Sequence, residues 1–329
     1  TFGLLCTLVQ FAASENPQNM QAESAVAEAD ETWKHLSEKF GPHLRAEFAL
    51  EDGYTNLNHG SYGSTPHFVT KAAHQWQREM EACPDRWFRQ TMYTELEKAR
   101  GAIAKYVGAD PEDLVFVENA SHGMNAVLRS LITGPAKVLY LSLAYQMVKN
   151  AASYLHDTFE AQIVEIPITL PTSVDQIVEA VSAALAAHPD ASLLSLDHIT
   201  SCPALVMPVE RLVPLARARG VPVVVDGAHA LGQLELDLSR IDADFYVANA
   251  HKWLYAPKSA AILWARKDRQ ARLFPTTVSN LGRGDTPFQL RFSYQGTSDA
   301  TSLLATAAAL QFRERLGDAE IRGYLAGLA

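Results

Sequence analysis

Two strand-like segments of this chain end in groups suited to one shared reaction. VPVVVDGAHALG opens with the apolar run Val221 to Val225 and ends it at Asp226. DFYVANAHKWL runs apolar from Phe245 to Ala250 and ends in His251-Lys252. A lysine directly after an apolar strand is costly to place in an interior unless its charge is used. In open α/β sheets, ligands bind outside the carboxyl ends of the strands. A lysine there can form a Schiff base with a carbonyl cofactor, and an aspartate there can keep a pyridinium nitrogen protonated. Together the two residues describe a site for pyridoxal 5′-phosphate (PLP). Taken singly, Asp226 reads as well as a helix cap, and Lys252 as an ordinary surface residue; only the pair favours the cofactor.

The elements that must position this pair follow from periodicity. Strands are expected at 114–118, 137–142, 162–168, 192–196, 221–225, 244–248 and 260–265. Helices are expected between them, at 122–132, 146–157, 173–187 and 209–219, and before them from Pro66 to about Met80 and over 95–107. Such alternation predicts an α/β fold, a mostly parallel sheet with helices on both faces. Thr32 to Phe40 has helical spacing through Trp33, Leu36 and Phe40, and residues 14–35 read as a polar lead. The opening run TFGLLCTLVQFAAS is compatible with the remnant of a targeting segment or with an irregular leader.

Composition narrows the class. A chain of 329 residues with 48% hydrophobic residues can bury a sizeable core. A net charge of −9 argues against nucleic acid or an anionic membrane as partner, so an anionic cofactor needs local donors. The three cysteines, Cys6, Cys83 and Cys202, are widely spaced and suggest neither a disulfide framework nor a zinc site, and a cytoplasmic setting is expected. No apolar run is long enough to span a bilayer.

DGAHALG followed by ANAHKWLYAPK resembles the class V aminotransferases among the fold-type I PLP enzymes. The similarity runs from LNHGSYGSTP (57–66) to YQGTSD (294–299). Its nearest branch holds the isopenicillin N epimerase-like proteins and the C–S lyases of ergothioneine biosynthesis. The resemblance implies the PLP-dependent transferase fold type I. It implies a leader over 1–40, a large PLP-binding domain over 41–300, and at 301–329 the start of a small C-terminal domain, here incomplete. It also implies a homodimer with sites at the interface.

Roles follow for individual residues. Lys252 is the Schiff-base lysine and, once freed, the base at the substrate Cα; burial would lower its pKa toward the useful range. Asp226 pairs with the pyridine nitrogen. His229 matches a position set against the cofactor phenolate. In VFVENASHGMN, the amides of Ala120 and Ser121 and the Ser121 hydroxyl stand at a helix N-terminus suited to phosphate; Ser121 alone reads as a cap. His251 is a further phosphate contact in this reading. Tyr145 matches the aromatic that stacks on the cofactor ring, and its phenol is a candidate acid opposite Lys252. One of Asp197, His198 and Thr200 is expected at the cofactor. Asn58 and His59 match the substrate-side loop, and Arg86 or Arg89 is placed to meet an acidic substrate. Gly296 and Thr297 match a pair that reaches the phosphate of the neighbouring subunit.

The chain departs from the pattern at Ser298, where arginine is expected, at Ser259, where glycine usually follows APK, and at Cys202-Pro203. The expected activity acts on an amino acid through an external aldimine and a Cα carbanion. β-Elimination from a cysteine-derived substrate is favoured over epimerisation and transamination, which share the same first steps. A non-catalytic relative that keeps the fold as a binding module is the alternative of a different class.

Overall fold

The computed structural model describes residue 35, residues 38–281 and residues 286–329. Trp33, Leu36 and residues 1–34 of the expected leader lie outside the described residues. Seven strands form one sheet: β1 (Leu114–Val117), β2 (Lys137–Leu141), β3 (Gln162–Ile166), β4 (Leu193–Asp197), β5 (Val223–Asp226), β6 (Phe245–Asn249) and β7 (Ala261–Ala265). Their spatial order is β1-β7-β6-β5-β4-β2-β3. β3, β2, β4, β5 and β6 are mutually parallel, and β7 runs antiparallel to both β6 and β1.

Eight helices matter here: α1 (His67–Ala82), α2 (Met92–Tyr106), α3 (Ala120–Leu131), α4 (Gln146–Phe159), α5 (Val174–Ala187), α6 (Val209–Arg217), α7 (Thr306–Leu316) and α8 (Asp318–Leu328). The near-continuous apolar strands exist because both sheet faces are covered. Alternate residues divide between two cores. Val223, Val225, Tyr246 and Ala248 pack with α1, α2, α5, α6 and α7. Val224, Phe245 and Val247 pack with α3 and α4.

The expected elements are present, with shifts that have local causes. β5 starts at Val223 because Pro222 has no amide to give the ladder; its carbonyl accepts from the Leu194 amide at 2.9 Å. α3 begins at Ala120, two residues early, since Asn119 caps it by accepting from the His122 amide at 2.9 Å. α2 starts at Met92, continuing a π-type turn over Trp87–Thr91 that buries Trp87. Among the described residues no helix is long and apolar enough to cross a membrane. No group of three or more His, Cys, Asp or Glu is set to hold a metal ion among them.

Candidate active site

The carboxyl ends of β4, β5 and β6 deliver Asp197, Asp226 and Asn249 to one edge of the sheet, and the chain reaches Lys252 three residues later. These residues line a cavity of about 150 Å³ with Ala120 and Ser121 from α3, Tyr145 and Met147 at the start of α4, Ser61 from the short helix His59–Tyr62, and His229 and His251 from loops. A larger hollow, about 640 Å³, lies between α2, β1 and residues 288–303. It has no lysine on its wall, whereas the smaller cavity has Lys252.

The Lys252 amine ends a short chain of hydrogen-bonding groups. The Trp253 indole N–H donates to His229 Nδ1 at 3.3 Å, and an indole can only donate. His229 Nδ1 is therefore unprotonated. Burial, and then the nearby Lys252 charge, push His229 down to about 4, so the ring is neutral. Its Nε2 lies 3.1 Å from Lys252 Nζ. Burial lowers the Lys252 pKa, opposed by Asp226. An uncharged amine is the form that attacks a carbonyl.

Asp226 is 4% exposed and accepts from the Ala228 amide through Oδ1 at 3.0 Å. Burial raises its pKa, while the Ala228 amide and Lys252 pull it back. On the phosphate side, the Ala120 amide is already committed to Asn249 Oδ1 at 2.8 Å. Asn249 thereby seats the α3 N-terminus on β6, a role the sequence reading missed. Ser121 remains the donor of that turn facing the cavity. His251 Nδ1 donates to the Ala260 carbonyl at 2.9 Å, and burial lowers its pKa. Its neutral ring offers only an acceptor at Nε2, so contact with an anion would need the protonated form. Tyr145 is half-exposed on the rim, leaving a ring face available to a planar ligand.

The other expected residues fall outside the cavity wall. Of the NHGSYG loop, Ser61 lines it. Asn58 accepts from the Ser61 hydroxyl at 2.7 Å, and His59 donates from Nε2 to the Lys252 carbonyl at 3.0 Å. Gly63 of the same loop has φ +70°, and a Cβ there would lie 1.9 Å from the His251 carbonyl oxygen. The motif therefore packs backbone on backbone beneath the lysine. Arg86 lies on the short helix Pro84–Arg86 and is exposed. Arg89 pairs with Asp85 at the surface. Thr297 is exposed and bonds to the Tyr294 hydroxyl at 3.2 Å. Ser259, where glycine was expected, has φ +66°, a left-handed conformation that costs an L-residue roughly 1–2 kcal/mol.

Arg313 on α7 was not foreseen. Its side chain is fully buried. NH1 donates to the Trp253 carbonyl at 2.7 Å and NH2 to the Gly232 carbonyl at 2.8 Å, while Nε pairs with Asp318. One guanidinium thus ties the loop after Asp226 to the loop carrying Lys252. Arg313→Met should destabilise the protein by about 1.5–3 kcal/mol, the range for hydrogen bonds to a charged group. Urea unfolding followed by circular dichroism measures this, and an unchanged midpoint would deny the tie.

Lys252, Asp226, Ser121 and Tyr145 supply an amine, a carboxylate, an anion donor and an aromatic face on one cavity, and this donor set fits PLP. The family model for class-V aminotransferases matches residues 62–329. A relative in Oryza sativa, putative L-cysteine desulfhydrase 1, is 33% identical over 83% of this chain and 60% of its own. Isopenicillin N epimerase of Streptomyces clavuligerus is 32% identical over 84% of this chain and 73% of its own. Hercynylcysteine sulfoxide lyase of Schizosaccharomyces pombe is 28% identical over 85% and 74%. The chain spans 60% of the length of the two rice desulfhydrase relatives it matches. A solved C-DES variant, with glycine covalently linked to its PLP cofactor, superposes with a TM-score of 0.77 at 23% identity, covering 86% of this chain and 76% of that one. The cystine C–S lyase C-DES with cysteine persulfide gives 0.72 at 23% identity, covering 81% and 73%. These likenesses show the fold-type I architecture, and the match over 62–329 shows the family: the chain belongs to the class-V aminotransferases.

Proposed function

We propose that this protein binds PLP at Lys252 and eliminates a sulfur group from a cysteine-derived amino acid. The observation that carries the reading is the Lys252 amine, 3.1 Å from His229 Nε2 and facing the same cavity as the buried Asp226 carboxyl. Bound PLP supplies an electron sink for charge developing at the substrate Cα. Lys252 would hold the cofactor through its amine and would move the substrate Cα proton. Asp226 holds the ring proton, and Ser121 anchors the phosphate. The desulfhydrase and sulfoxide lyase relatives support elimination, and the epimerase relative supports reprotonation of the same carbon as a second outcome. Borohydride reduction and peptide mapping test the cofactor site: the pyridoxyl group should lie on Lys252, and its appearance on Lys258 would overturn the assignment. Pyruvate and sulfide release from cysteine-derived substrates tests the reaction; a racemised substrate without pyruvate would instead make the protein an epimerase.

Elimination needs an acid near the departing sulfur, and Tyr145 on the rim is the candidate. Tyr145→Phe keeps the ring face and loses only the hydroxyl. It should bind PLP and exchange the Cα hydrogen normally, yet release pyruvate on the order of 10²–10⁴-fold more slowly, the usual worth of one proton donor. Undiminished pyruvate release would assign the acid elsewhere.

We further propose a homodimer, and on its few, widely spaced cysteines a reducing compartment such as the cytoplasm. Gly296 and Thr297 lie outside their own cavity wall, and we assign them to the partner's phosphate. Sedimentation of the PLP-loaded protein should give a dimer; a monomer with full cofactor affinity would remove that role.

A further inference from the structure

The two carboxyl groups at the floor of the cavity are immediate neighbours. Asp197 and Asp226 end adjacent parallel strands and are register partners, and such strands run about 4.8 Å apart. Both line the same cavity, and each is 4% exposed. Backbone amides donate to both: that of Ala228 to Asp226 at 3.0 Å, and those of Tyr145 and of Asp197 itself to Asp197.

The groups around them do not supply a cation for each. Lys252, after β6, acts on Asp226. Lys149 of α4 acts on Asp197, but its ammonium already donates to the Ser142 carbonyl at 2.7 Å and lies 3.5 Å from Glu165. His198, on the loop after β4, and His229, after β5, are both pushed down to about 4 by burial and bring no charge. His198 Nδ1 is satisfied by the Tyr246 hydroxyl of β6 at 2.7 Å, and burial keeps that phenol protonated. From α6, Glu210 adds negative charge that bears on both His198 and Tyr246. Two like charges so close and so dry are not both retained.

We propose that Asp197 carries a proton at neutral pH, so that the pair presents one anion, Asp226, and one neutral hydrogen-bond donor, Asp197, to whatever occupies the cavity. The side facing Lys252 decides which member ionises. Burial first, and then the Asp226 charge, hold Asp197 well above the usual carboxylate range. The use of this arrangement rests on the PLP reading: a single positive ring nitrogen meets a single carboxylate, and Asp197 adds a donor without a second charge. The protonation itself is a property of the protein before any cofactor binds.

Infrared spectra of the cofactor-free protein, with ¹³C-labelled aspartate carboxyls, read that proton directly. The wild type at neutral pH should show a carboxylic-acid carbonyl band that shifts in D₂O. Asp197→Asn should lose the band. In Asp226→Asn the band should titrate away at lower pH than in the wild type, because the neighbouring charge is gone. No band in the wild type, a band surviving in Asp197→Asn, or an unmoved titration in Asp226→Asn would each overturn the proposal. A second measurement uses PLP itself. Asp197→Asn replaces a neutral acid by a neutral amide and should keep cofactor affinity within about threefold, whereas loss of a charged partner would weaken it roughly 10–100-fold. A wild type that shows the band and binds no PLP would leave the shared proton standing and remove the cofactor reading.

Discussion

Lys252→Ala should leave a folded protein that binds PLP without attaching it and that has lost Cα chemistry. Burial lowers the pKa of the amine and Asp226 opposes that shift, so its removal takes a costly buried amine from the interior together with its attraction to Asp226. Thermal stability should therefore change little, the two effects opposing each other. The catalytic loss should be severe, because one group both attaches the cofactor and moves the proton. A positioned base alone contributes on the order of 10²–10⁴-fold, and the loss should exceed that. Deuterium exchange at the substrate Cα is the direct measure, with borohydride labelling as the control for attachment. A small primary amine added to the variant should recover part of the exchange, since truncation leaves room in the cavity. Exchange at the wild-type rate without added amine would put the base on another residue.

Asp226→Asn should keep PLP on Lys252 while losing most Cα exchange. The amide oxygen can still accept from the Ala228 amide, so the turn after β5 stays closed. What disappears is the charge. Removing one partner of a buried pair costs about 3–5 kcal/mol, and that corresponds to roughly 10²–10⁴-fold in rate. The pH dependence carries a second signature. The ring needs the ionised carboxylate, and burial raises the pH at which that form is lost. Wild-type activity should therefore fall on acidification through the titration of Asp226, and the Asn variant should lack that limb. A variant with full exchange, or with an unchanged acid limb, would show that Asp226 does not hold the ring proton.

The sequence was informative where a polar residue interrupts an apolar strand at its carboxyl end. Asp226 and Lys252 stand out against Val223–Val225 and Phe245–Ala250 because nothing else in those runs carries a charge at neutral pH. Strand–turn–helix junctions similarly exposed Ser121 and Tyr145. Asn249 did not stand out, since it precedes the conspicuous His251-Lys252 by two residues and its task is to hold another loop's amide. The choice among Asp197, His198 and Thr200 needed strand register, which pairs Asp197 with Asp226 and turns His198 toward Tyr246. His59 looked like a substrate ligand because it neighbours a loop matched by resemblance; instead it donates to the Lys252 carbonyl. Arg313 was illegible for a plain reason. In FRERLGDAE it looks like any charge on an amphipathic helix, and only the meeting of two distant loops creates the carbonyls it satisfies.

The holds on the Lys252 segment are largely on its main chain. Gly63 packs on the His251 carbonyl, His59 bonds the Lys252 carbonyl, Arg313 bonds that of Trp253, and the Ala250 and His251 amides both reach the Ala260 carbonyl. A segment fastened this way depends on remote side chains more than on its own. Substitutions at exposed Lys258 and Ser259 leave the amine where it is, whereas changes at Gly63 or Arg313 displace it without touching the cavity wall. Adaptation to a new substrate and loss of catalysis are thereby consigned to separate stretches of the chain. A random-mutagenesis screen for inactive protein should accordingly find its densest hits around residues 59–63 and 313, far from the lysine in sequence.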